Sequence, residues 1–123
     1  MRLSEAIRVG SKNTVKIKGV YVDQKNGACA LGAAGLASNI PLMMIGMSRL
    51  ESEFPILLKT GYLPNAILKK KLRSIIIVLN DRCDWSRERI SDWIEREFEN
   101  QATLVTQKKD EKTYEVKPVE VKI

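Results

Sequence analysis

The chain contains no histidine. That absence removes Ser-His-Asp and Cys-His catalysis, imidazole-ligated metals, and the commonest general base near neutral pH. Cysteine is almost as scarce, with Cys29 and Cys83 the only two in 123 residues. Two cysteines cannot build a disulfide scaffold. One bridge is the most they allow, and a reduced pair in the cytoplasm is the simpler expectation. Aromatics are 6% of the chain, which is thin for a base-stacking platform. No phosphate-loop or dinucleotide glycine motif occurs, because Gly32-x-x-Gly35 is a packing spacing too short for either. The opening Met1–Arg8 has no apolar core of the secretory kind, so no signal peptide is expected. Asn26 to Ser48 carries no charge, but four glycines, two asparagines, two serines and Pro41 interrupt it. Two short buried segments are expected there, not a membrane span.

What is present is an ordinary globular composition, 44% hydrophobic and 29% charged, in a chain of single-domain length. The net charge is +6 but unevenly spread. Residues 1–50 hold seven basic and two acidic side chains, whereas residues 81–100 hold four basic and seven acidic ones. The basic excess suits either a solubilising surface or attraction to phosphates or an acidic partner.

Local patterns predict helices over about residues 4–10, 28–38, 42–59 and 86–99. Ser4 is placed to cap the first and Ser86 the last. The small-residue stretch Ala28–Ala37 reads as a central helix approached closely by neighbouring backbone. Within 42–59, Pro55 must kink or restart the helix. Met43, Met44 and Met47 suit either an adaptable binding surface or core filling, and core filling is the simpler reading. Val15–Val22 alternates like a half-buried strand, with a bulge at Gly19. Asp23–Gly27 is a turn ending in Asn-Gly. The β-branched run Ile75–Leu79 favours a strand by composition, with helix as the alternative. Residues 1–100 thus read as a small α+β domain, mainly helical with a small antiparallel sheet. Residues 101–123 read as a terminal hairpin or a charged tail, with Pro118 restricting the second strand.

Candidate chemistry is sparse. Lys69, Lys70, Lys71 and Arg73 form the densest basic cluster, and no aromatic interleaves with them in sequence. They are candidate nucleic-acid contacts, or simply a solvated face. Asp81, Asp84, Glu88 and Asp92 mimic a metal or acid-base cluster, but turns, caps and a solvated helix face account for them. Cys29 opens a helix, where a thiol can be activated; in an apolar setting without histidine it reads as buried and inert.

Three motifs in order carry a resemblance: Leu3-Ser4-Glu5-Ala6-Ile7-Arg8-Val9-Gly10; Cys29-Ala30-Leu31-Gly32-Ala33-Ala34; and Leu79-Asn80-Asp81 with Trp85-Ser86-Arg87-Glu88 and Ile90-Ser91-Asp92-Trp93. Together they resemble a family of small bacterial and phage-borne proteins without established activity. The resemblance marks Cys29, Asn80, Asp81, Trp85, Ser86 and Trp93 as structural motif positions. It also implies a zinc knuckle of Cys-Pro-x-Cys and His-x-x-x-x-His type, aligned with Leu63-Pro64-Asn65-Ala66 and with Val78 and Cys83. Only Cys83 retains a metal-binding side chain, so Leu63, Ala66 and Val78 are expected to replace the metal with an apolar cluster. No catalytic residue, metal or cofactor is expected. The expected role is non-enzymatic and cytoplasmic, through interaction with another protein or a second copy of the chain. Nucleic-acid binding is the alternative.

Overall fold

The computed structural model describes residues 1–100, so the expected C-terminal hairpin or tail lies outside the described residues. Five α-helices and two strand pairs occur there, in the order α1 (Leu3–Ser11), β1 (Val15–Lys16), β2 (Gly27–Ala28), α2 (Ala30–Ala37), α3 (Met47–Glu53), β3 (Thr60–Tyr62), β4 (Lys69–Lys71), α4 (Leu72–Asp81) and α5 (Arg87–Ile94). β1 pairs parallel with β2, and β3 pairs antiparallel with β4. The result is a small, mainly helical α+β fold. No helix among the described residues is long and apolar enough to cross a membrane.

α2 is the hub. Ala30 through Gly35 are all buried, and α1 packs along it more extensively than any other pair of elements. Small residues permit this approach. A Cβ on Gly10 of α1 would lie 1.9 Å from the Ala33 carbonyl oxygen, and one on Gly32 would lie 1.8 Å from the Tyr21 carbonyl oxygen. α2 ends where Asn39 takes a left-handed conformation (φ 63°). Ile40 N–H then bonds the Gly35 carbonyl at 3.0 Å and Asn39 N–H the Leu36 carbonyl at 3.1 Å. This paired closure satisfies the last carbonyls of the helix and explains the break read at Asn39-Ile40-Pro41.

Several expectations are corrected. The Ile75–Leu79 run is helical, as part of α4. Leu72, Ile75, Ile76, Leu79 and Asn80 recur at helical spacing and all face inward, so tertiary packing overrides β-branched composition. The Val15–Val22 strand is reduced to Val15–Lys16 plus a single bridge from Val22 to Ala28. Gly19 at φ 84° turns the chain out of the extended conformation. The helix expected over 42–59 is three short pieces: a 3-10 turn at Leu42–Met44, α3, and a 3-10 turn at Pro55–Leu58. Gly46 is extended before α3. Phe54, preceding Pro55, is forced out of the α region. Met43 is 96% exposed, and Leu42 and Met44 are exposed beside it; of the three methionines only Met47 packs against the core. Ser4 does not cap α1. It lies inside the helix, buried, and Arg2 holds the capping position without a side-chain bond.

Candidate interaction surface

The motif residues converge on the interior and hold the fold. Asn80, at the end of α4, is buried. Its carbonyl oxygen accepts from Ala30 N–H at the start of α2 (3.2 Å), and its amide donates to the Ile17 carbonyl (3.0 Å) and to Asp81 (2.7 Å). One side chain therefore ties α4, α2 and the segment after β1. Asp81 also accepts from Gly19 N–H at 3.2 Å. Cys29 caps α2, with its sulfur accepting from Gly32 N–H at 3.4 Å. Burial pushes the Cys29 thiol up, the opposite of an activated nucleophile. Both cysteines are free thiols, Cys29 buried and Cys83 exposed.

Ser86 caps α5 as expected, accepting from Arg89 N–H at 3.0 Å. Trp85 lies half-buried under the Arg89 guanidinium, 3.7 Å from the ring centre. Trp93 is buried, 5.5 Å from the Phe98 ring.

Arg87, only 6% exposed, is the strongest polar feature that sequence reasoning missed. Its guanidinium donates to the Ala28 carbonyl (3.1 Å), the Ser11 carbonyl (3.2 Å), the Thr14 carbonyl (2.8 Å) and the Thr14 hydroxyl (2.6 Å). It joins the end of α1, the loop that follows and β2 to the start of α5. Burial lowers its affinity for a proton, but arginine stays charged. The available signal was its place on the stripe Arg87, Ile90, Ser91 and Ile94, all buried at helical spacing.

The acidic face of α5 is also accounted for. Arg8 of α1 pairs with Asp92 (2.7 Å) and Glu95 (2.6 Å), and Arg2 with Glu95 (3.3 Å) and Glu99 (3.7 Å). Arg8 holds the Glu95 carboxyl below its ordinary range. The helix expected to run to Glu99 changes after Ile94 into a wider π-turn, Glu95–Glu99. From that turn Glu99 accepts from both the backbone N–H (2.9 Å) and the hydroxyl of Ser4. A carboxylate distant in sequence thus caps α1. Asp84, at φ 56°, is paired with Lys16 (2.9 Å) and Lys18 (3.1 Å). Asp81, Asp84 and Asp92 are therefore engaged structurally. Among the described residues no group of three or more metal-ligating side chains lies within reach of one ion. The aligned knuckle positions do not fit zinc either. Leu63 and Val78 are half-buried and Ala66 is exposed, so the three form no sealed apolar cluster, and one thiolate cannot hold structural zinc.

The β3–β4 hairpin is the opposite kind of surface. Thr60 faces Lys71, Gly61 faces Lys70 and Tyr62 faces Lys69 across the pair. Directly opposed residues share a face and successive residues alternate. Lys69 and Lys71 therefore stand with Tyr62 and Thr60, while Lys70 stands on the Gly61 face. There the Phe98 ring occupies the space a Gly61 side chain would need. Lys69 lies 5.9 Å from the Tyr62 ring centre, so the fold supplies the aromatic partner that sequence adjacency did not. Arg73 is separate from the lysines, on α4 and paired with Glu51. Among the described residues Lys69, Lys70 and Lys71 make no ion pair. Before them, Ile67 is 92% and Leu68 66% exposed. Comparison with known proteins returned no match to this chain, whether to a protein family, a curated sequence or a solved structure.

Proposed function

We propose that this is a non-enzymatic, cytoplasmic binding protein that engages another protein through the β3–β4 hairpin. The carrying observation is the side-by-side exposure of Ile67 and Leu68 ahead of three lysines without counter-ions. Adjacent large aliphatic side chains in water are costly to hydrate and are relieved by an apolar contact. The lysines beside them select an acidic rim around that contact. Such a surface fits a partner that presents a hydrophobic pocket edged with carboxylates. A second copy of this chain is the alternative occupant.

The non-enzymatic reading rests on chemistry. The chain has no histidine, its buried thiol is held neutral, and the carboxylates of α5 and the preceding turn are ion-paired. No acid, base and nucleophile converge.

Nucleic-acid binding is the second reading, favoured by Lys69 over Tyr62 with Lys71 on the same face. One set of variants separates the two. Ile67→Asp with Leu68→Asp removes protein capture and leaves any nucleic-acid affinity nearly unchanged. Lys69→Ala with Lys71→Ala lowers nucleic-acid affinity and reduces its salt slope by about two. Retention of the same partner by the Ile67/Leu68 variant would refute the protein-binding surface. Elemental analysis is expected to find no stoichiometric zinc.

A further inference from the structure

A cavity of about 160 Å³ lies between the Gly19–Tyr21 loop, the start of α2 and one flank of α4. It is distant in role from the hairpin and uses none of its residues. Cys29, Leu31 and Ile76, all buried, line it, and Ile77, partly exposed on α4, marks its rim. A cavity of about 150 Å³ accommodates a single benzene ring, so this one is sized for one ring or a branched aliphatic group. Its polarity is one-sided. The Tyr21 hydroxyl and the Cys29 thiol are both pushed up by burial and stay neutral. Asp81 is the only formally charged residue in the lining. Its carboxylate is fixed by Asn80 at 2.7 Å and by Gly19 N–H at 3.2 Å, and each oxygen keeps a free lone pair. A fixed anion over an apolar floor is complementary to a small cation with an apolar body.

We propose that this cavity binds a small organic amine, its apolar group against Leu31, Ile76 and Ile77 and its ammonium at Asp81. Cys29 supplies the readout, because a seated ligand blocks reagent access to its sulfur.

The test uses the full chain carrying Cys83→Ser, so that only Cys29 reacts with methyl methanethiosulfonate. Benzylamine, toluene and benzoate are compared as protectants. Benzylamine is expected to slow modification about tenfold at ten times its Kd, with toluene weaker and benzoate inactive. Asp81→Asn is expected to abolish the preference for benzylamine over toluene, and Ile77→Trp to abolish protection by all three. The comparison in the Cys83→Ser chain decides the matter even if Asp81→Asn fails to fold. Equal protection by toluene and benzylamine, better protection by benzoate, or no protection by any of them would overturn the proposal.

Discussion

The α1–α2–α5 side and the β3–β4 hairpin handle charge and apolar surface in opposite ways. On the helical side nearly every strong group is committed. Arg87 serves three carbonyls and a hydroxyl, Glu99 caps α1, Asn80 links three segments, and Arg2 and Arg8 neutralise α5. On the hairpin three lysines go without a carboxylate among the described residues, and two large aliphatic side chains face water. Committed groups hold the fold together, whereas uncommitted ones are available to a partner. If that division is right, substitutions on the two sides separate into effects on stability and effects on binding.

The largest stability loss is expected from Arg87→Ala. It leaves three carbonyl groups without their donor, at about 3–5 kcal/mol in total. Urea unfolding should show the midpoint falling sharply. Arg87→Lys should recover only part of the loss, because an ammonium cannot reproduce the planar fork.

Gly10→Ala comes next, at about 2–3 kcal/mol. Its Cβ would run into the Ala33 backbone, and the two helices must separate to admit it. Circular dichroism melts can check the order of these two variants.

A smaller effect depends on pH. The Glu95 carboxyl is held below its ordinary range, chiefly by the hydrogen bond from Arg8. Its contribution is therefore fully present above the ordinary glutamate pKa of about 4.3 and is lost as pH falls through the lowered folded value. Asp84, lowered by Lys16 and Lys18, acts in the same direction in the same acid window. Arg8→Gln should flatten the fall of stability below about pH 4.5 and change little near neutrality. A stability-against-pH series on both proteins measures this.

The smallest stability effect belongs to the hairpin. Ile67→Asp with Leu68→Asp should shift stability by no more than about 0.5 kcal/mol. A large loss from that pair would erase the contrast between the two regions.

Much of the helical side was legible in the chain. Ser86 announces α5, Asp23–Gly27 is a turn in which Asp23 accepts from Lys25 N–H and Gly27 N–H, and Ala28–Ala37 declares a helix that must be approached closely. These signals are local. What escaped depends on partners far away in sequence. Arg87 reads as a surface residue until the α1–β1 loop is folded over it. Ser4 looks like a cap until Glu99 arrives to do that work. Ile75–Leu79 is β-branched enough to suggest a strand, yet its period of burial is helical. The hairpin was misread for the same reason. Its lysines look like one cluster, but strand alternation divides them and brings Tyr62 under Lys69. The exposure of Met43 could not be anticipated either, because apolar residues in a broken helix carry no sign of which way the break turns them.

The most direct test of the division is equilibrium urea unfolding and partner capture on the same two proteins, the Ile67→Asp/Leu68→Asp variant and wild type. The account predicts coincident unfolding curves and a partner retained by wild type alone. An unfolding midpoint lowered in the variant as far as in Arg87→Ala, with capture unchanged, would contradict it.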